Sequence, residues 1–358
     1  MLCPGSRSSP LALAAGGLAE RGLLKLTTAI DERSAAFHAL GMAAASGRAA
    51  AVITTSGTAV ANLLPAAVEA DRSALPLLLL TADRPQRLKN CGANQTVNQE
   101  DFLRPVCRSF TTGPLGGLHQ LSPAELDSLA KAAWERALLH PGPVHLNLPF
   151  EEPLHPSPAE QQQLWAGWDL DVNGQRQLVR PLPVALSQPL DGLDWSRPGV
   201  VVAGPWRGLE AERPAYQQAL RAIVECTGWP LLADQLAAVP ADLPHLIRHW
   251  ELLLPQCLPA APGGLQVLRL GPLPASRRLE SWLRGLGSGQ LLISEGESRC
   301  LDPLGLSRQC SSGLVTWWQA ISAKARFCPS SSQALLMTWT EADTQVQRVL
   351  DQQLPAAG

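Results

Sequence analysis

From Leu11 to Pro149 the apolar positions follow two rhythms in turn, one helical and one continuous. SPLALAAGGLAERG reads as a helix ending at Gly22, and LKLTTA as a short strand. DERSAAFHALGMAAASG predicts a second helix, with Asp31 placed to cap its start and Gly47 to stop it. AAAVITT is a strand that runs into the helical SGTAVANLLPAAVEA, and ALPLLLLTA is a strongly apolar strand. A polar loop follows, DRPQRLKNCGANQTVNQ. SPAELDSLAKAAWERALLH opens on Ser122, Pro123 and Glu125, a strong helix start, and PVHLNLP is again a strand. Continuous apolar strands alternating with helices imply a parallel sheet covered on both faces.

The pattern breaks after Glu151. Residues 154–197 are rich in Pro, Gln and Asp and read as a linker, because so long a structureless stretch is unusual inside one unit. Alternation resumes at GVVVAGP, with strands expected at 199–203 and in WPLLA, LQVLRLG and QLLISEG. Helices are expected at 209–226 and in LPHLIRHWELL, ASRRLESWLRGL, LVTWWQAISAKA and the tail SSQALLMTWTEADTQVQRVLDQQL. The fold class expected is α/β, with two doubly wound, mostly parallel sheets. The first unit covers 1–153 and the second 198–345, with 346–358 opening a further linker.

Composition narrows the function classes. The chain has 358 residues, 46% hydrophobic and 17% charged, with a formal net charge of −2, which gives no global argument for nucleic acid or membrane surfaces. No apolar run reaches the roughly 20 residues of a membrane helix. Arg7 followed by LALAAGGLA imitates a secretory signal, but the run is short, contains Gly16-Gly17 and meets Glu20-Arg21, so a cytoplasmic protein is expected. The eight cysteines are scattered, and none forms a CxxC pair, so most are expected to be reduced core residues. His245 and His249 in HLIRHW would share one helix face, without an evident third metal ligand.

Ligands of open parallel sheets bind outside the carboxyl ends of the strands. Four polar groups fall there: Gly5-Ser6-Arg7, Asp31-Glu32-Arg33, Thr55-Ser56-Gly57-Thr58 and Asp83-Arg84, with Asn94 and Gln95 close behind. Each also has an ordinary reading as a turn, a cap, a first-turn acid pair or an ion pair. Their shared edge is what raises them to one candidate site. No G-x-G-x-x-G follows a strand, and neither a phosphate-binding G-x-x-x-x-G-K-[ST] loop nor a G-x-S-x-G elbow is present.

Taken together, CPGSRSSPL, IDERSAAFHALGMAAASGR, AVITTSGTAVANLLPAAVEA, LLLLTADRPQRLKNCGANQTVNQ and GPVHLNLPFEEPL closely resemble one family. This is the 2-succinyl-5-enolpyruvyl-6-hydroxy-3-cyclohexene-1-carboxylate (SEPHCHC) synthase family of thiamine-diphosphate-dependent enzymes. The resemblance is strong over residues 2–154 and continues more weakly through WPLLADQLAAV and LLISEGESRCLDPLGLSRQ. It implies a transferase of menaquinone or phylloquinone biosynthesis that joins 2-oxoglutarate to isochorismate with loss of carbon dioxide. It identifies 1–153 with a pyrimidine-binding domain and 198–345 with a central domain.

By the same resemblance Glu32 matches the glutamate that hydrogen-bonds the aminopyrimidine ring of the cofactor. Ser6, Arg7, Arg84, Asn94 and Gln95 match substrate-site positions, and Thr55, Ser56, Gly57 and Thr58 would shape the wall beside the pyrimidine. Both substrates carry two carboxylates, which suits planar, bidentate arginines. The family's third domain holds Mg2+ (or Mn2+) and the diphosphate through a G-D-G motif, which this sequence lacks; Asp191-Gly192 is a near case without the context. The chain is therefore expected to be incomplete at both ends, to open inside a first strand, to be inactive alone, and to form dimers or tetramers when complete. The competing readings are a non-catalytic anion-binding or regulatory subunit, and a related carboligase such as acetolactate synthase, which TADRP and CGANQ disfavour.

Overall fold

The computed structural model describes residues 1–166, 192–208, 210–254, 264–297, 299–322 and 330–354. Most of the expected linker, together with Asp191, Cys257 and Cys328, lies outside the described residues. The chain divides into two compact units, Met1–Pro181 and Leu182–Gly358.

In the first unit, α1 (Ser9–Glu20) and α2 (Glu32–Ser46) lead into β1 (Ala50–Thr54). Then come α3 (Thr58–Ala61), α4 (Leu64–Ser73), β2 (Leu77–Asp83), β3 (Ser109–Thr112), α5 (Pro123–Leu139), β4 (Pro143–Pro149) and α6 (Pro158–Ala166). The strands pair in the order β1-β2-β4-β3, all in parallel. Leu77 and Leu79 pack with Ala36, Leu40 and Ala66 under α2 and α4, whereas Leu78, Val144 and Leu146 pack with Ala133 and Ala137 of α5. The sheet is thus covered on both faces, as its continuous apolar strands require.

Local signals set several of these boundaries. Asp31 caps α2 by accepting from the Arg33 amide at 3.1 Å, and Gly47 ends the helix at φ +63°. Ser122 and Glu125 form a reciprocal capping box at the start of α5. Other elements depart from expectation. SGTAVANLLPAAVEA is two helices rather than one, because Pro65 has no amide hydrogen and is tolerated only in the first turn of a new helix. LKLTTA forms no strand of its own. Thr28 makes a single parallel bridge to Leu2, which bridges Ile53 on its other side, so Leu2 lies inside the sheet. The short strand β3 and helix α6 were unexpected, the latter lying within the stretch read as a linker.

The second unit contains β5 (Gly199–Ala203), α7 (Arg213–Thr227), β6 (Leu231–Ala233), α8 (Trp250–Leu253), β7 (Gln266–Leu270) and α9 (Arg277–Leu286). It continues with β8 (Gln290–Ile293), β9 (Ser307–Cys310), α10 (Leu314–Ile321) and α11 (Ser330–Gln353). Its strand order is β6-β5-β7-β8-β9, again wholly parallel. Residues 346–353, expected to open a linker, are the last turns of α11. The helix expected over LPHLIRHWELL shrinks to α8. Residues before it run beside β6 instead: Leu231 donates to the His245 carbonyl at 2.8 Å, Ile247 donates to the Leu231 carbonyl at 2.9 Å, and His245 has φ +65°. His245 and His249 therefore share no helix face, and His249 Nδ1 lies 3.0 Å from Asp343 on α11.

One buried ion pair organises the β8–β9 region. Arg269, 1% exposed, donates to Asp302 at 2.6 Å, and Asp302 also accepts from the amides of Leu304, Leu306 and Ser307. Burial opposes the Asp302 charge, but Arg269 and Ser307 more than offset it and hold the carboxyl well below its ordinary range. Asp302→Ala strands a buried guanidinium and is expected to cost the second unit about 3–5 kcal/mol in denaturant unfolding. Because the folded carboxyl is the stronger acid, the wild-type contribution is present above about pH 4 and is lost as pH falls below it.

Candidate active site

Parallel pairing brings every strand of the first sheet to the same edge at its carboxyl end. Arg7 leaves the stretch after Cys3 and is 8% exposed. Its Nη1 donates to the Phe150 carbonyl at 3.1 Å, and its Nη2 donates to Glu152 at 3.3 Å. Gly5 allows this turn to lie against β1, since a Cβ there would stand 2.3 Å from Thr55 Cβ. Arg87 pairs with Glu151 through Nε at 2.9 Å, and that hydrogen bond pulls the Glu151 carboxyl down to about 2. Lys89 bridges buried Asp83, at 2.7 Å, and Glu100.

Arg84 differs from these three cations. It is 9% exposed, and its Nη1 donates to the Ser56 hydroxyl and, at 2.8 Å, to the Gln95 carbonyl. Both acceptors are neutral, and among the described residues no carboxylate lies within ion-pair distance of its guanidinium. Burial, and then the positive charge of Arg7, lower its proton affinity. Asp83 beside it pulls the other way without outweighing them, and a largely buried guanidinium whose hydrogen-bond acceptors are neutral favours an anion.

The remaining candidates surround this group unevenly. Gly57 has φ +83°, and a Cβ there would meet the Gln95 carbonyl at 3.1 Å, so Ser56, Gly57, Gln95 and Arg84 form one contact cluster. Thr55 is buried beneath it and Thr58 is exposed at the start of α3. Glu32, the first residue of α2, is half-buried and accepts from Asn62 Nδ2 at 3.1 Å. Ser6 and Asn94 are exposed at the same edge, and among the described residues neither side chain bonds to the cluster.

A buried polar row behind the cluster escaped the sequence reading. Gln99 Oε1 accepts from the Gly57 amide at 2.8 Å, while Nε2 donates to the Ala82 carbonyl at 3.0 Å and to Asn147 Oδ1 at 2.8 Å. Asn147 Nδ2 donates to Asp83 at 2.8 Å, and Thr81 bonds both Asn147 and His145. Burial first, then Arg104, lowers His145 to about 4, so it is a neutral member of the row. The available signal was in PVHLNLP: two polar residues at alternate positions of an apolar strand mark one polar face.

No three His, Cys, Asp or Glu residues among those described come together as a metal site. Residues 1–102 match the family described as thiamine pyrophosphate enzyme, N-terminal TPP binding domain. Over its whole length the chain is 64% identical to 2-succinyl-5-enolpyruvyl-6-hydroxy-3-cyclohexene-1-carboxylate synthase from Synechococcus sp. (strain WH7803), of which it spans 62%. It is 57% identical, again over its whole length, to the enzyme of the same name from Prochlorococcus marinus (strain MIT 9313), of which it spans 64%. The chain covers less than two thirds of these relatives, yet the likeness runs through both of its units. The likeness is therefore to SEPHCHC synthases through both units, and over residues 1–102 to the N-terminal TPP binding domain of thiamine pyrophosphate enzymes.

Proposed function

We propose that this chain supplies the pyrimidine-binding side of a thiamine-diphosphate site, together with an anion subsite for a dicarboxylate substrate. The whole enzyme would be a transferase that decarboxylates 2-oxoglutarate and adds the remaining four-carbon unit to isochorismate. The observation that carries this reading is Arg84, buried at the carboxyl ends of the strands with only neutral oxygens hydrogen-bonded to its guanidinium among the described residues. The names of the relatives agree with it.

Each residue has a task that its surroundings permit. Arg84 binds a substrate carboxylate, with Ser56 and the Gln95 carbonyl fixing its fork. Arg7, whose carboxylate partner Glu152 is 66% exposed, offers a second carboxylate position if Glu152 gives way. Ser6, Asn94 and Gln95 add hydrogen bonds at the rim, and Thr55 to Thr58 form the wall. Glu32 fits the pyrimidine, because its second carboxylate oxygen has no partner among the described residues while Asn62 steadies the first. Bound thiamine diphosphate supplies the electron sink for carbon dioxide loss. The described residues offer no donor set for Mg2+ or Mn2+, so no step here passes through the metal.

Homo-oligomers and a cytoplasmic setting belong to the same proposal; no helix among the described residues is long and apolar enough to cross a membrane. Calorimetric titration tests the reading. 2-Oxoglutarate and thiamine diphosphate should both bind the chain. Dicarboxylate binding without cofactor binding would instead favour an anion-binding or regulatory subunit, and binding of neither would refute both.

A further inference from the structure

Gln99 is fully buried, and its amide joins three segments of the chain. Backbone chemistry fixes which way it points. The Gly57 amide can only donate, so it must face Oε1; the Ala82 carbonyl can only accept, so it must face Nε2. Nε2 also reaches Asn147 Oδ1, which obliges Asn147 to turn its own NH2 toward the Asp83 carboxylate. Every donor and acceptor of the Gln99 amide that the fold can use is therefore engaged, with one orientation allowed.

The bond to Gly57 matters because of what stands beside it. Gly57 has φ +83° and ψ −135°, a backbone state open to glycine and not to ordinary residues. The preceding residue, Ser56, is one of the two neutral acceptors that hold Arg84. The Gly57 amide, freed from Gln99, would lose the side-chain bond that ties this turn through Gln99 to the Ala82 carbonyl on β2 and to Asn147 on β4. We propose that Gln99 is a positioning residue for the anion subsite: it fixes the Ser56-Gly57 turn, and the turn aims the Arg84 guanidinium. The proposal rests on the reading of Arg84 as the carboxylate-binding group.

Two measurements on the full chain test it, with succinate as the probe dicarboxylate. In Gln99→Met the Gly57 amide loses its acceptor. Its nitrogen-15-edited resonance should move upfield, its hydrogen exchange should quicken at least about tenfold, and the Arg84 guanidinium signals should broaden by faster rotation. The succinate dissociation constant should rise about tenfold, the loss of one well-placed buried hydrogen bond. Ser56→Ala should weaken succinate comparably, and the double variant no more than either alone, since both act through one turn. Gln99→Glu keeps an acceptor for Gly57 but loses both donations, and serves as the second variant if the methionine form does not fold. Unchanged Gly57 and Arg84 signals, or losses that simply add in the double variant, would overturn the proposal. If the wild-type chain binds no succinate, the carboxylate reading of Arg84 fails, and the two resonances still decide whether Gln99 sets the turn.

Discussion

Arg84→Met is expected to remove dicarboxylate binding while leaving the fold within about 1 kcal/mol of the parent. The two halves of this expectation come from the same fact. A guanidinium 9% exposed, with a serine hydroxyl and a backbone carbonyl as its acceptors, has been taken out of water with no carboxylate in ion-pair contact among the described residues and only the nearby Asp83 charge to oppose the burial. Replacing such a group by an apolar side chain of similar length removes an unfavourable desolvation, which offsets the hydrogen bonds lost at Ser56 and Gln95. For a bound carboxylate the effect runs the other way. Two charge-assisted bonds at about 1.5–3 kcal/mol each correspond to a loss of 100-fold or more. Arg84→Lys keeps the charge but not the fork and should recover only part of the affinity. Calorimetry with 2-oxoglutarate, beside thermal unfolding, reads both quantities. A variant that binds as the parent does, or that unfolds several degrees earlier with its affinity intact, would make Arg84 a structural residue.

How much of this was legible in the sequence depended on the distance over which each signal acts. Local chemistry was readable: Asp31 and Gly47 bound α2, and Ser122 with Glu125 starts α5, because caps are built from neighbours. Strand-end topology then gathered Arg84, Ser56 and Gln95 before any contact between them was known. Gln99 was not readable in that way, since its partners Gly57 and Asn147 lie 42 and 48 residues away. The same limit explains His245 and His249. Their helical spacing was genuine, but pairing of that stretch with Leu231 outweighed it. Helix α6 was hidden by its Pro- and Gln-rich surroundings. It is held in place by a contact outside its own sequence, where Trp165 lies flat against Gly17 and beneath the Arg21 guanidinium at 4.1 Å.

Glu32→Gln is expected to have the other large effect, on turnover instead of binding. The substitution preserves shape, and its carbonyl oxygen can still accept from Asn62 Nδ2. What it removes is the carboxyl, and, on the role proposed above, the group that would share a proton with the pyrimidine ring. Proton transfer by a positioned side chain contributes roughly 10²–10⁴-fold, and the loss should be of that order. Stability should fall by less than about 1 kcal/mol, because Glu32 occupies the first turn of α2 and interacts favourably with the helix N-terminus. Succinate affinity at Arg84 should stay within about twofold, as expected of separate sites. Turnover is read on the chain supplied together with the part of the Synechococcus relative that it does not span, with carbon dioxide release as the readout. Asn62→Ala in the same assembly should give an intermediate loss, since the carboxyl remains but loses its anchor. Wild-type turnover in Glu32→Gln would refute the role, and a matching loss of succinate binding would show that the substitution had disturbed the cleft as a whole.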